Sequence, residues 1–535
     1  MSNSNDEIRK LIEEGKAVLG IEFGSTRIKG VLVDPDNNPI ASGSHDWENH
    51  LENGIWTYPL SEIHAGFRDC YIDLKKDVEK QYGVKLKKLA AIGISGMMHG
   101  FLAFDKDGNQ LAQFRTWRNT ITEQSAAKLT ALFDYNIPQR WSIAHLYQAI
   151  LNKESFVKDI AFETTLAGYI HWKLTGEKVM GVGEASGMFP IDTATGDFDE
   201  TMTGKFNGLL KEAGMPYTLR DIFPKVLSAG EDAGKLTAEG AKFLDADGDL
   251  EAGAPVAPCE GDAGTGMVAT NAVKVRTGNV SAGTSVFAMV VLEKPLSKVY
   301  EEIDLVTTPS GDLVGMVHCN NCTSDLNAWV GLFKESLEAY GVEVDMNKLF
   351  GTLYNKALEG DKDCGGLISF NYFSGEGVTH FDEGRPLFVR EQNAKVNLAN
   401  FMRSNLYASL ATLKLGCDIM LKQEGVKVDS ITGHGGLFKT KGVGQTILSA
   451  ALGTSVSVME TAGEGGAWGM AVLANYLIAK KNGESLADYL NNKVFAGMKA
   501  ETLTASAEDI KGFDEYAAKY KAALAVEKAA IQSLK

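Results

Sequence analysis

"AVLGIEFGSTRIKGVLVD", residues 17–34, decides how this chain is read. Val18, Gly20 and Glu22 alternate with Leu19, Ile21 and Phe23, and Gly24-Ser25-Thr26 follows. A period of two broken by glycine predicts strand, tight turn, strand. Glycine beside two hydroxyl residues lets a ligand approach the backbone and offers N–H and O–H donors to an anion. A second stretch of the same kind, "GNVSAGTSVFAMVVL" (278–292), turns at Gly283-Thr284-Ser285. Either turn alone reads most simply as an ordinary hairpin. Two in matching contexts, one in each half, read as phosphate-binding hairpins and as a weak repeat at domain scale.

Composition bounds what these hairpins can serve. At 535 residues and 44% hydrophobic, the chain is too long for one core and suits two domains, or three. Its formal charge of −16 opposes binding to a nucleic-acid backbone. Phosphate ligands stay open, because backbone N–H groups and a metal can hold them. The 57 glycines fall in clusters, which suggests several tight loops near a ligand. The six cysteines do not resemble a disulfide framework in a chain of this length. "MSNSNDEIRKLIEEGK" lacks the apolar core of a signal peptide, and no apolar run reaches membrane-spanning length. The expectation is a reduced, soluble, cytoplasmic protein with no nucleic-acid or membrane partner.

Outward from the first hairpin, Ile63, Phe67, Cys70, Tyr71, Leu74 and Val78 share one face of a helix over 61–82. "LAAIGIS" (89–95) reads as a buried strand leading into "GMMHG", and "FLAFDKDGNQLAQF" as a hairpin around Asp107-Gly108. "LEAGAPVAP" (250–258) reads as a linker. Residues 396–424 form a helix with Leu398, Met402, Leu406, Leu410, Leu413, Cys417 and Leu421 on its apolar face. A short strand follows at 428–436. A glycine loop, "GEGGAWG" (463–469), opens an apolar helix. The tail from about 500 is polar and alanine-rich, so helical and peripheral.

"CEGDAGTGMVAT" (259–270) places Glu260 and Asp262 among small residues, with no Lys or Arg within ten positions of either. Such a carboxylate reads two ways: a general base open to a ligand, or a cap at a helix N-terminus. No G-x-x-x-x-G-K-[ST] occurs, and no G-x-G-x-x-G follows a strand. "HCNNC" (318–322) is a single C-x-x-C, and a structural zinc site needs a second ligand pair that is not evident. A wall of the second domain is preferred there, with a redox role as the alternative.

The ordered set of segments resembles the FGGY family of carbohydrate kinases, from about residue 17 to about 480. "GIEFGSTRIKGVLVD" is similar to its first phosphate hairpin, and "ISGMMHGFLAFDKDG" with "TWRNT" (116–120) to the sugar site of its xylulose kinase subgroup. "LTGEKVMGVGEASGMFPID" (174–192) resembles the end of its first domain. "EGDAGTGMVAT" and "VSAGTS" are similar to its catalytic loop and second phosphate hairpin. "GGLISFNYFSGEGVTHFDEGRPLF" (365–388), "GHGGLF" and "GEGGAWGMAVLA" resemble its later sugar-kinase and adenosine segments.

The resemblance implies an α/β chain of two actin-like, ribonuclease-H-like domains flanking a deep catalytic cleft. The expected bounds are an extension at 1–16, a sugar-binding domain at 17–254, a nucleotide-binding domain at 255–500 and a helical tail at 501–535. It implies an ATP-dependent kinase with Mg²⁺, acting on a small sugar, with Asp262 as the base that accepts the hydroxyl proton. Glu260 is its rival within the segment. Glu22 stands where the family usually carries Asp and would hold the metal, through water. Arg27 and Lys29 could neutralise phosphate, or line a solvated strand face. Met98, His99, Trp117, Asn119 and Asp262 would meet the sugar, although a core histidine and a core tryptophan are the bland alternatives. Gly24, Ser25, Thr26, Gly283, Thr284, Ser285, Gly435, Gly436 and Gly465 would meet the nucleotide. The chain departs from the subgroup at Asn119 and Ile121, where W-x-D-x-R is usual, and at Gly377, where Arg is usual. D-xylulose is the first expected substrate, with L-ribulose or another ketose or polyol next. A non-catalytic actin-like nucleotide-binding protein is the reading from another class. A homodimer is the assembly to test.

Overall fold

A computed structural model describes residues 4–459 and 465–534, so Gly463 and Glu464 of the quoted glycine loop lie outside the described residues. The chain forms two compact units. The first comprises Met1–Val273, Leu305–Val314 and Glu464–Gly497, and the second Lys274–Asp304, Gly315–Gly463 and Met498–Lys535.

Among the described residues, the first unit holds a five-stranded sheet of β1 (Val18–Phe23), β2 (Arg27–Val33), β3 (Pro39–Asp46), β4 (Ala91–Gly96) and β5 (Glu260–Gly261). Its order is β5-β4-β1-β2-β3. β1, β2 and β3 form an antiparallel meander, and β4 runs parallel to both β1 and β5. The helix Leu60–Tyr82 packs on β2 and β3, and the helix Gly465–Ala479 on β1, β2 and β4. With helices on both faces, β1 is buried almost throughout, so its alternation does not separate a core face from a wet one. Gly20 is needed for that contact: a Cβ there would fall 2.2 Å from the Ala467 carbonyl oxygen.

The supposed linker at 250–258 is part of this unit. The Ile92 N–H donates to the Pro255 carbonyl and the Ala257 N–H to that of Ile92, while Val256 is fully buried. Its turn residues bend the chain, but its apolar ones are drawn against β4. The break between the units falls after Val273, not at 254/255. The expected turn at Asp107-Gly108 forms, with the Asp105 carboxylate accepting the N–H groups of Asp107 and Asn109. The strand Leu102–Phe104 before it, however, takes Phe162–Thr164 as its antiparallel partner.

In the second unit, β6 (Thr277–Ala282), β7 (Val286–Val291), β8 (Leu313–Cys319), β9 (Ser430–His434), β10 (Val456–Met459) and β11 (Ala500–Leu503) follow the order β8-β7-β6-β9-β10-β11. β7 is antiparallel to β6, and β9 is parallel to both β6 and β10. With β11 and the edge strand Asp304–Thr307 beside β8 set aside, this is the strand order of the first unit, so the repeat suggested by the hairpins is one of topology. The helix Leu398–Asp418 is buried along nearly its whole length and ends in a wider turn at Ile419–Gln423.

The C-terminal segment corrects the expectation of a peripheral tail. β11 pairs antiparallel with β10, and the helix Ala507–Ser533 buries Phe513, Tyr516 and Tyr520 completely. The Phe513 ring stacks on Tyr407 at 4.0 Å. Alanines dominate the helix, but aromatics at spacings of three and four make one face a core face.

Candidate active site

The carboxyl ends of β1, β4 and β5 meet at one edge of the first sheet, the place where open α/β sheets bind ligands. Register aligns them: Glu22 of β1 pairs with Ser95 of β4, and Ser95 with Glu260 of β5. Beyond the strand ends come Met98 and His99 from one chain segment and Asp262 from another.

Asp262 is half-buried and begins the helix Asp262–Ala269. Its Oδ1 accepts the N–H of Met98 (3.1 Å) and that of Ala263 (2.9 Å). The helix-end position and an accessible carboxylate therefore coexist in one residue. Burial raises its pKa above the ordinary range, and the two N–H donors oppose that rise.

Glu22 is half-buried, and its carboxyl is pushed up to about 7, first by desolvation and then by the charge of Asp262. Lys29, directly opposite on β2, and the Ala467 N–H oppose the shift. A Cβ on Gly466 would fall 2.3 Å from Glu22 Oε1, so the glycine makes room for this carboxylate. Glu22 and Asp262 thus form an oxygen-only pair whose mutual repulsion a cation would relieve. That chemistry fits a hard ion such as Mg²⁺, held through one or two carboxylates and water.

Glu260 is not a rival base. It is fully buried, and it accepts the N–H groups of Gly183 (3.4 Å) and Glu184 (2.9 Å) at the start of the short helix Val182–Ala185. Glu184, also fully buried, was not singled out from the sequence. A Cβ on Gly261 would fall 2.4 Å from its Oε2, which ties the glycine before Asp262 to that side chain.

His99 is buried with φ at +72°, a left-handed conformation that is uncommon outside glycine. Nδ1 lies 3.1 Å from the Gly187 carbonyl, which assigns the proton to that nitrogen, and the ring stacks on Trp141 at 6.2 Å. Trp117 is half-buried, and its Nε1–H donates to Ser25 Oγ (3.3 Å). Asn119 is a correction. Its Oδ1 accepts the Trp56 N–H (2.9 Å), and its Nδ2 donates to the carbonyls of Trp56 (2.8 Å) and Thr116 (3.0 Å). With 2% exposure and both amide hydrogens used, it clamps backbone and has no donor for a sugar.

The two hairpin turns share a construction that composition does not reveal. In the first, the Gly24 carbonyl accepts Trp47 Nε1–H (2.7 Å) and the Ser25 carbonyl accepts the Tyr58 hydroxyl (2.5 Å). In the second, the Gly283 carbonyl accepts Thr323 Oγ1–H (2.7 Å) and N–H (3.1 Å), and the Thr284 carbonyl accepts the Cys322 N–H (2.9 Å). Across a planar trans peptide the following N–H points opposite to the carbonyl. Tying two successive carbonyls from behind therefore turns two successive N–H groups outward: Ser25 and Thr26 in one turn, Thr284 and Ser285 in the other. Thr26 and Thr284 are exposed, and a Cβ on Gly283 would meet open space. Paired N–H groups of this kind make an anion-binding concavity.

Gly435 has φ at +100°, and a Cβ there would fall 2.5 Å from the Ala282 carbonyl oxygen at the end of β6; a Cβ on Gly436 would meet open space. Gly465 opens the helix that covers β1, so it belongs to the first unit with Glu22, whereas Gly435 and Gly436 belong to the second. Cys319 and Cys322 are buried free thiols pushed up by burial, an environment that disfavours the reactive thiolate of a redox motif. Among the described residues no group of three or more His, Cys, Asp and Glu side chains is arranged to hold a metal, and no helix is long and apolar enough to cross a membrane.

Comparison with known proteins matches residues 17–269 to the N-terminal domain and residues 278–478 to the C-terminal domain of the FGGY family of carbohydrate kinases. The chain is 22% identical to a xylulose kinase of Haemophilus influenzae over 84% of its length and 91% of that protein's. It is also 22% identical to a glycerol kinase of Methylobacterium radiotolerans, over 78% of its length and 81% of that protein's. The solved structure of a ligand-bound xylulose kinase from Lactobacillus acidophilus superimposes with a TM-score of 0.77 at 16% identity, covering 97% of this chain and 99% of that one. That likeness shows a shared two-domain α/β fold. The chain belongs to the FGGY family of carbohydrate kinases.

Proposed function

We propose that the protein transfers the γ-phosphoryl group of ATP to a hydroxyl of a small ketose, D-xylulose first, with Asp262 as the base. One observation carries this reading: a half-buried carboxylate, fixed through Oδ1 by the Met98 N–H, stands where three strand ends converge. Asp262 accepts the hydroxyl proton as the oxygen attacks phosphorus in line. Its raised pKa brings it closer to the conditions under which a general base is most effective. The outward N–H pairs of Ser25–Thr26 and Thr284–Ser285 bind phosphate oxygens, and Gly435 and Gly436 leave room for the nucleoside. Glu22 with Asp262 would hold Mg²⁺; when bound, the ion neutralises charge that develops on the phosphates.

For the sugar, Met98 fixes the base through its backbone, His99 is locked by Gly187 and Trp141, and Trp117 borders the first hairpin. Both xylulose and glycerol kinases stand among the relatives, so a panel decides the acceptor. ADP release would be followed with D-xylulose, L-ribulose and glycerol at matched concentration. Turnover highest with D-xylulose supports the assignment. A higher kcat/KM with either of the others transfers it to that acceptor. Sugar-independent hydrolysis across the panel overturns the kinase reading of the site.

A further inference from the structure

The loop behind the second hairpin is held in its turn by a buried carboxylate. Glu376 is 1% exposed. Its Oε1 accepts the Asn320 N–H (3.2 Å), and its Oε2 accepts the N–H (3.2 Å) and Nδ2–H (3.0 Å) of Asn321. Asn321 Oδ1 answers by accepting the N–H groups of Phe373 (2.9 Å) and Ser374 (3.1 Å). Two chain segments thus lock each other through one carboxylate and one amide. The next residues along the loop, Cys322 and Thr323, are the ones that tie down the carbonyls of Thr284 and Gly283.

We propose that Glu376 is a positioning residue for the nucleotide phosphates, fixing the loop 320–323 so that the N–H groups of Thr284 and Ser285 point outward. The proposal rests on the reading of Gly283–Ser285 as a phosphate hairpin. It also assigns a purpose to "HCNNC": the loop is a backing plate for that turn, and its asparagines are the fastening.

The clamp has a built-in dependence on ionisation. Burial pushes Glu376 up to about 7, against the pull of its N–H donors. Only the ionised form accepts from all three donors with both oxygens; protonation turns one oxygen into a donor facing donors. Cys319 on β8, Cys322 in the loop and Tyr372 face Glu376, and burial holds all three neutral through neutral pH. His380, four residues on, is exposed and hydrogen-bonded to Glu302.

The test is calorimetric titration of the full-length protein with ADP and Mg²⁺ at pH 6, 7 and 8. Glu376→Gln should weaken ADP binding about tenfold at pH 8, the factor for one lost hydrogen bond to a charged group. The loss should shrink at pH 6, so the ratio of wild-type to variant affinity rises with pH; the titration of ADP itself cancels in that ratio. His380→Gln should leave the ratio flat. A Glu376→Gln protein with wild-type affinity at all three pH values overturns the proposal, as does a loss of affinity that is equal at pH 6 and pH 8. The variant Ser285→Pro, which removes one of the two outward N–H groups, separates the two layers. If it weakens ADP binding while Glu376→Gln does not, the hairpin reading stands and the clamp falls. If neither weakens it, both fall. Should Glu376→Gln not fold, Thr323→Val, which removes one donor to the Gly283 carbonyl, decides instead: unchanged ADP affinity overturns the proposal.

Discussion

Asp262 and Glu22 divide one local charge problem between them. Burial raises the cost of ionising both, the charge of Asp262 adds to that cost at Glu22, and each carboxylate accepts backbone N–H that lowers its own. Asp262→Asn should keep the hydrogen bond from Met98 and lose the proton acceptor. Phosphoryl transfer should fall by about 10²–10⁴-fold, the usual contribution of a general base, while affinity for metal-free ADP, read by calorimetry, is kept. Glu22→Gln should raise the Mg²⁺ concentration needed for half-maximal activity, and a metal titration at fixed ATP reads this directly. Asn119 belongs to a different category. Asn119→Ala leaves the buried Trp56 N–H without its acceptor, while the Trp56 and Thr116 carbonyls keep the backbone N–H groups of Thr116 and residue 119; at about 1–3 kcal/mol for an unpaired buried polar group it should lower the melting temperature. It should leave the KM for the sugar nearly unchanged, because the side chain has no hydrogen left to give.

At the scale of elements, the hairpins show what was legible and what was not. The strand-turn-strand pattern and the glycine-hydroxyl turns are local, so periodicity and composition reveal them. What orients each turn comes from distant residues: Trp47 and Tyr58 for one, Cys322 and Thr323 for the other. No spacing rule connects them, and the loop "HCNNC" was visible as a motif without its task. Asp262 was legible as an isolated carboxylate, and family resemblance chose it over Glu260. Only coordinates show that Glu260 is consumed at the start of the Val182–Ala185 helix. Glu184 was not singled out and Gly466 was visible only as one glycine of the 463–469 loop, since their importance lies in contacts with Gly261 and Glu22. The C-terminal helix misled through its average: its alanine content hid the Phe513–Tyr516–Tyr520 stripe. Tyr520→Ala should cost about 3–5 kcal/mol, the range for deleting a buried aromatic, and denaturant unfolding would show it as a lower midpoint.

At the scale of the whole molecule, the chain leaves the first unit after Val273 and returns to it at Leu305–Val314 and again at Glu464–Gly497. The last return delivers the helix that covers β1 and β4 and supplies Gly466 beside Glu22. A protein ending at Val273 should therefore lack a stable core. Its circular dichroism should show a broad, non-cooperative melt, whereas a version with residues 465–497 joined to it through a flexible linker should recover a cooperative one.

That late return also sets a schedule for synthesis. Growing chains fold as they leave the ribosome, at about 5–20 residues per second. The apolar face of the first sheet must then wait roughly 10–40 s between the emergence of Val273 and that of Ala479. During this interval it is an unshielded surface that a neighbouring nascent chain could join, and holding it apart is work for a chaperone rather than for the sequence itself.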